Sequence, residues 1–534
     1  MRGGLGITDS IVGVSRVSDA AAGPAQRPRA TYHRGSARPR HPGGGGRPVR
    51  DVRVPPSPAL LAALTDRLGA AHVLTAPEDL EPYLIETRGL HRGRALAVVR
   101  PADTAEAAFV VAQCAAARVP VVAQGGNTGL VGGGVPQGGI VLSLARLARV
   151  RAVDPTNATI TVEAGVTLAD VQAAADGAGM LFPLSLASEG SCRIGGNLAT
   201  NAGGTAVLAY GNARDLVLGL EVVLADGRVW NGLKGLRKDN AGYDLKQLFV
   251  GSEGTLGIIT AAVLKLFPRP LSRGVGFVGL ADPAAALALF ARLRARAGRD
   301  LTAFEVIPPF GLEIVLRHTP GATPPLAGRH GTYALVEFSS TRPDAPATEA
   351  LEAALAEAME AGLVEDATLG ASEARNQALW TLRENLSEVQ RREGGSIKHD
   401  VSVPLSALPE FLATATRACE AAMPGLRVCA FGHFGDGNIH FNLSQPVDMN
   451  RAAFLGQWSR FNRIVHDVVE SLGGSIAAEH GVGLIKRDEL AHYADPVALD
   501  LMRRVKAALD PHGTLNPGKV VAPEGGGPPA LPPA

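Results

Sequence analysis

The sequence predicts an α+β protein of two or three domains, and three observations carry that reading. At 534 residues the chain exceeds what one hydrophobic core holds. Its first half sets Gly-rich, nearly uncharged loops among short apolar runs. From Asp282 onward, long Ala/Leu/Glu/Arg helices alternate with hairpin-paired strands, the pattern of an antiparallel sheet with helices on one side.

In order, residues 57–69 and 104–117 read as helices, each opened by a capping-type residue, Ser57 and Thr104. Short apolar runs at 95–99, 119–123 and 140–144 read as strands. The second leads straight into Gln124-Gly125-Gly126-Asn127-Thr128-Gly129-Leu130-Val131-Gly132-Gly133-Gly134. Without Cβ atoms in the way, backbone N–H groups of such a loop converge on an anion; a plain flexible turn is the other reading. Residues 149–153 and 158–162 form a hairpin across Asp154-Pro155-Thr156-Asn157, and Thr167 opens a helix with Asp170 three residues on. A second loop, Ser188 to Gly204, is again rich in Gly, Ser and Asn. Two such loops suit a pyrophosphate held by main-chain donors. A further hairpin turns at Ala225-Asp226-Gly227, and Gly251 to Thr260 runs into a strand. The literal G-x-G-x-x-G at Gly274, Gly276 and Gly279 is a decoy, because Val275, Phe277 and Val278 read as a strand with no helix opening inside the motif.

The second half carries the reactive side chains. Helices are expected at 283–297, 346–361, 372–390, 405–422 and 452–472, and strands at 332–338, 397–403, 425–431 and 438–443. Asp436-Gly437 is a two-residue hairpin signal that would set His433 opposite His440, with Phe431 opposite Asn442. Two histidines so placed can face one ion, although a hairpin also collects histidines by coincidence. In the helix over 372–390, Arg383 and Ser387 lie beside an apolar stripe, a face equally suited to solvent. Lys398 and Asp400 share one face of the following strand, where a lysine also serves as an edge guard. Two cations near a metal site suit an anionic, even doubly anionic, substrate. Glu479 and His480 are adjacent, so they share a site only where the chain bends, and Gly481 and Gly483 permit that. Glu479 could then complete a two-His, one-carboxylate site for Zn²⁺, Mn²⁺ or Fe²⁺, with His480 as a general base. A capping Glu and a hydrogen-bonded His are the alternative.

Composition narrows the partners. A formal net charge of +1 and the lack of a basic stripe point away from nucleic acid. No apolar run reaches the ~20 residues that span a bilayer. Cys114, Cys192, Cys419 and Cys429 are scattered with no C-x-x-C, which fits a reducing compartment. Residues 1–52 carry nine Arg and only Asp9 and Asp19 before Asp51. They read as a disordered start in a bacterial, cytoplasmic protein, or as a mitochondrial transit peptide leading to the matrix.

Taken together and in this order, QGGNTGLVGG, EGSCRIGGNLATNAGG, GSEGTLGIIT, GHFGDGNIH, EHGVG and LNPGK resemble the FAD-dependent 2-hydroxy acid dehydrogenases of the vanillyl-alcohol-oxidase type. The resemblance runs from about Leu61 to Lys519. LRKDNAGYDLKQLFVGSEGTLGIIT is most similar to the branch that acts on D-2-hydroxyglutarate. It implies a two-subdomain PCMH-type FAD domain over 53–270, an α+β cap with an antiparallel sheet over 271–475, a segment over 476–521 returning to the flavin, and loose ends at 1–52 and 522–534. FAD contacts carry over to Gly125, Gly126, Asn127, Thr128, Gly129, Leu130, Ser188, Ser191, Gly195, Asn197, Asn201, Gly204, Gly254, Ile258 and Asn516. Arg383, Ser387, Lys398 and Asn442 would bind substrate, His433, His440 and Glu479 a divalent metal, zinc first, and His480 would be the base. The flavin loops contain no His, so the FAD should be non-covalent. Implied partners are a small 2-hydroxy acid, an electron-transfer flavoprotein or quinone as acceptor, and a second copy in a homodimer. D-lactate or glycolate oxidation is the alternative substrate reading, and a flavin-free metal hydrolase the alternative of another class.

Overall fold

The computed structural model describes residues 58–522; the expectations for residues 1–52, for Ser57 and for the tail beyond 522 lie outside them. Three main sheets follow one another along the chain.

In the first, Ala97–Val99 and Val121–Gln124 flank Ile140–Ser143 in parallel, and Val73–Leu74 adds an antiparallel edge. Val98, Val122 and Val141 are as buried as their neighbours, the continuous apolar run expected of strands covered on both faces. The helix Thr104–Ala117 covers one face with Ala107, Val110, Val111 and Cys114, a three- and four-residue spacing. Its cap is Asp103, one residue before the expected Thr104, and the Asp103 carboxylate accepts the Glu106 N–H. Loop 125–134 departs from the end of Val121–Gln124, at the rim of this sheet.

The second sheet is antiparallel, in the order Val150–Asp154, Thr159–Glu163, Ile258–Lys265, Val217–Val223 and Val229–Gly232. The helix Leu168–Asp176 packs on it, with Thr167 accepting the Asp170 N–H as the sequence implies.

The third sheet has seven antiparallel strands: Asp366–Leu369, Ser272–Leu280, Thr332–Ser340, Leu301–Ile307, Arg427–His433, Asn438–Ser444 and Ser396–Ser402. The G-x-G-x-x-G decoy lies within Ser272–Leu280 as a strand. The helices Pro283–Ala297, Ala347–Glu360, Leu408–Ala422 and Trp458–Ser471 cover one face through Leu289, Leu351, Phe411 and Val465. Contrary to the one-sided expectation, Pro309–His318 and Glu373–Glu384 cover part of the other face, against Phe277, Leu335 and Phe431. The helix expected over 372–390 is divided at Asn385 into Glu373–Glu384 and Leu386–Val389; Asn385 keeps a right-handed backbone, and its amide bonds Thr319. The uncovered remainder of that second face holds the polar residues of the central strands.

The segment 476–521 returns to the first half. Thr514 C=O accepts the Val121 N–H at 2.8 Å, and the Asn516 N–H donates back to Val121 C=O at 2.8 Å. Leu515 is thereby sealed in the first core. No helix among the described residues is long and apolar enough to cross a membrane.

Candidate active site

Two connected cavities meet at the junction of these regions. The first is a groove walled by residues 123–134, 193–200, 253–259 and His480. Gly125, Gly126, Asn127, Thr128, Gly129, Gly195, Asn197, Gly254 and Ile258 line it. A Cβ added at Gly129, Gly196 or Gly254 would meet nothing within 4 Å, so these positions open onto the groove. At Gly126 the opposite holds: a Cβ would lie 2.0 Å from Ser191 C=O, and glycine is needed for the two loops to touch. Asn127, Asn201, Glu253 and Asn516 adopt positive φ around this groove, a concentration typical of ligand clamps. Arg193 Nε is buried on the wall without a hydrogen-bond partner, a donor available to an anion. An extended anionic cofactor such as FAD fits this lining.

Leu130, Ser188, Ser191 and Gly204 line the second cavity instead. Asn201 and Asn516 line neither. Asn201 Oδ1 accepts the Arg214 N–H, and Asn516 Nδ2 donates to Gly133 C=O and Glu253 C=O, stapling two groove loops together.

The second cavity, of 1420 Å³, lies between the groove and the open face of the cap sheet. Alternation places Glu305, Phe431, His433, His440, Asn442, Lys398 and Asp400 on that face. The hairpin carrying the histidines differs from the two-residue turn. Phe434–Asp436 forms a 3₁₀ turn with Gly437 left-handed, and the ladder pairs Phe431 with His440 and Cys429 with Asn442. His433 pairs instead with Glu305 on the neighbouring strand. The register is displaced by two residues, which preserves the face. The two imidazoles therefore still meet, ring centres 5.3 Å apart.

Glu479 comes from a loop, turned by Gly481 and Gly483 at positive φ. Its Oε1 lies 3.8 Å from His433 Nε2, 3.5 Å from His440 Nε2 and 3.7 Å from His480 Nε2. Its Oε2 accepts the Gly204 N–H at 3.0 Å. The other ring nitrogens face carboxylates: His433 Nδ1 is 2.8 Å from Glu305, His480 Nδ1 3.5 Å and His440 Nδ1 3.8 Å from Asp400. Ligands held at about 2.0–2.2 Å on a tetrahedral ion lie about 3.3 Å apart, so this donor set is close to closing on a cation. Carboxylates behind the imidazoles are the usual support of such sites.

The ligand atoms that lie within 4.8 Å of one another are those of Asp400, His440, Glu479 and His480, a group without His433, but both Asp400 oxygens are engaged. Oδ1 accepts from Asn438 Nδ2, and Oδ2 accepts the backbone N–H groups of Glu479 and His480, which fixes the loop. Burial opposes charge at His433, His440 and Glu479. At His433 the Glu305 and Glu479 carboxylates overcome it and hold the imidazole well above its usual range, whereas at His440 burial wins, to about 3. Burial likewise opposes ionisation of Glu305, yet His433 and Arg383 pull it to about 2. The pocket is anion-rich and suited to a cation.

Beyond the histidines, Lys398 Nζ contacts only the Ser387 C=O, at 3.3 Å, and no carboxylate lies within 4 Å of it among the described residues. Burial, with Arg391 and Arg88 nearby, lowers its ammonium to about 8. Arg383 donates through Nε to Glu305 at 2.6 Å and stacks 4.8 Å over Phe431. Ser387 and Asn442 line the same cavity.

The FAD binding domain family matches residues 95–232, and the C-terminal domain family of FAD-linked oxidases matches residues 269–520. The mitochondrial D-2-hydroxyglutarate dehydrogenase of Bos taurus is 40% identical over 462 residues, 86% of this chain and 83% of that protein. The D-2-hydroxyglutarate dehydrogenase of Xanthomonas citri pv. viticola is 39% identical over 461 residues, 86% of this chain and 96% of its own length. The chain belongs to the FAD-linked 2-hydroxy acid dehydrogenases. This dehydrogenase shares its fold with alkyldihydroxyacetonephosphate synthase, with a TM-score of 0.68 at 17% identity over 88% of this chain and 87% of that one. It also shares it with p-cresol methylhydroxylase, with a TM-score of 0.68 at 20% identity over 86% and 96%. It is an FAD enzyme acting on a D-2-hydroxy acid, and the hydrolase alternative finds no support.

Sequence reasoning passed over Glu305, Asp400 and Glu253 as site residues of the dehydrogenase. Glu305 sits on Leu301–Ile307, a strand that was not expected; a glutamate amid Thr302, Phe304, Val306 and Ile307 was the available signal. Glu253 accepts the N–H groups of Val482 and Gly483 at 2.7 and 2.8 Å, tying the loop of His480 to the groove.

Proposed function

We propose that this chain oxidises D-2-hydroxyglutarate to 2-oxoglutarate, with the C2 end at the imidazole cluster and the distal carboxylate at Lys398. The observation that supports this most strongly is the unmatched, half-buried Lys398 cation on the wall of the cavity that His480, Glu479 and His433 also line. A monocarboxylic substrate leaves that cation without a counter-charge, and a dicarboxylate supplies it. Arg383, with two free NH₂ groups among the described residues, and Ser387 and Asn442 complete the carboxylate contacts.

His480 lines both the groove and the acid cavity, the place a proton acceptor must hold between flavin and substrate. It takes the hydroxyl proton as the C2 hydrogen departs as hydride, and Asp400 orients its ring. His433, His440 and Glu479 are the residues that would hold a divalent cation, zinc first, with manganese and iron accepting the same nitrogen and oxygen donors. When bound, FAD supplies the hydride acceptor at N5 and the metal a Lewis acid that acidifies the hydroxyl. Because the three groove loops contain no histidine, we assign the flavin as non-covalent. The acceptor is an electron-transfer flavoprotein or quinone, and the protein acts as a homodimer. Its relatives include a bacterial and a mitochondrial protein, and we place it in the bacterial cytoplasm, with the mitochondrial matrix as the alternative.

Anaerobic mixing with D-2-hydroxyglutarate should bleach the flavin. Bleaching by D-lactate or glycolate but not by D-2-hydroxyglutarate would overturn the substrate assignment. Chelator-stripped enzyme should bleach far more slowly and recover with zinc; undiminished bleaching would remove the metal from the reaction.

A further inference from the structure

One buried carboxylate joins the metal side of the site to the acid side. Glu305 stands mid-strand in Leu301–Ile307 and is 1% exposed. Its Oε1 lies 2.8 Å from His433 Nδ1, and its Oε2 accepts a 2.6 Å hydrogen bond from Arg383 Nε. Glu305 also faces His433 across the backbone ladder, so strand pairing itself builds the contact. Arg383 is held from its other side by the Phe431 ring, which sits opposite His440 on the next strand. A carboxylate this deep persists only when its charge is matched and its lone pairs are used. Here both partners are groups that reach the ligand cavity.

We infer that Glu305 is a positioning residue that sets His433 and Arg383 together, one carboxylate serving a metal ligand and a substrate anchor at once. An imidazole that donates from Nδ1 to Glu305 directs Nε2 at Glu479, and a divalent cation there would displace the Nε2 proton and take its lone pair. Holding the guanidinium by Nε alone leaves its two NH₂ groups free for a carboxylate, the bidentate geometry that arginine favours. The charge of Glu305 also offsets that of Arg383, which leaves Lys398 as the cation of the cavity with no carboxylate within 4 Å among the described residues. Metal binding and acid binding thus share one support.

The inference rests on the metal reading of His433, so zinc binding by the unaltered protein is its control. Full-length, flavin-loaded protein is stripped with chelator and titrated with zinc alone against a chromophoric competitor. In Glu305→Gln an NH₂ donor replaces one of the two carboxylate oxygens, so either His433 Nδ1 or Arg383 Nε faces a donor where it had an acceptor. Zinc affinity should fall about 10- to 100-fold with flavin content unchanged. Binding of 2-oxoglutarate to the zinc-loaded variant, read from flavin absorbance, should weaken about tenfold. Arg383→Met should weaken 2-oxoglutarate binding and spare zinc. Zinc affinity of Glu305→Gln within about twofold of the unaltered protein overturns the inference. Should that variant lose flavin or fail to fold, the pair Glu305→Leu/Arg383→Met removes the buried cation with its counter-charge and is titrated instead: weak zinc binding with flavin retained upholds the inference, and unaltered binding overturns it. Unaltered protein that takes no zinc, manganese or iron overturns the metal reading itself, a distinct result.

Discussion

In the flavin half, the groove wall is mostly main chain: glycines at 125, 126, 129, 195, 196 and 254, with strained Asn127 and Glu253 between them. In the cap, the cavity wall is side chain, with histidines, carboxylates and Lys398 delivered from four strand and loop segments and Arg383 from the helix Glu373–Glu384. The first arrangement depends on bare backbone, at Gly126 so that two loops can touch and at Gly129, Gly196 and Gly254 so that the groove stays open, whereas the second depends on its charges. A long anionic cofactor can be read by repeated N–H donors in contiguous loops. A small acid demands a few charged groups at fixed points, each drawn from a different part of the chain.

Variants can break that contrast. The largest expected effect is at the junction: His480→Ala should keep its flavin and slow anaerobic flavin reduction by ~10²-fold or more. Near-normal reduction would refute its role as the base. In the cap, Lys398→Met removes a charged hydrogen bond worth about 1.5–3 kcal/mol. KM for D-2-hydroxyglutarate should therefore rise about 10- to 100-fold, with little change for D-lactate; equal losses on both would deny Lys398 the distal carboxylate. In the flavin half, Gly196→Leu places a side chain in open groove space. Flavin content should fall at least ~10-fold with the far-UV spectrum and zinc binding retained, since a groove glycine serves access and not the core. Zinc lost together with flavin would show that the halves do not bind separately.

The smallest effect is in pH. The Lys398 pKa is lowered to about 8 by burial and by Arg391 and Arg88, and the ammonium is the form that binds a carboxylate. Binding is present below that value and lost as pH rises through it. kcat/KM for D-2-hydroxyglutarate relative to D-lactate should then drop up to ~10-fold per unit above pH 8, and Lys398→Met should flatten the ratio. A flat ratio in the unaltered enzyme would leave the lysine without this role.

The same contrast explains what could be read in advance. The groove loops announce themselves because cradling backbone needs Gly and Asn in adjacent positions, and QGGNTGLVGG carries them together. Alternation put His433, His440 and Asn442 on one face of the hairpin, which the two-residue register shift leaves unchanged in parity, and Lys398 and Asp400 on one face of their own strand; the pairing of Lys398 with Asn442 joins the two faces. The partner of His433 was illegible, since Asp436-Gly437 resembles a tight turn while the chain spends Phe434–Asp436 on a 3₁₀ turn. Asn516 and Asn201 look like ligand contacts in a motif, yet their amides hold the loops together. Side-chain employment of that kind depends on neighbours hundreds of residues away.

The closing segment has one more consequence, for synthesis. Val121 and Thr514 share a backbone bond, Asn516 pins residues 133 and 253, and Lys519 reaches Val135. The groove that begins near residue 123 is therefore finished only when the chain has been made to about residue 519. A nascent chain carrying every flavin loop still lacks the hydrogen bonds by which Thr514, Asn516 and Lys519 tie those loops together.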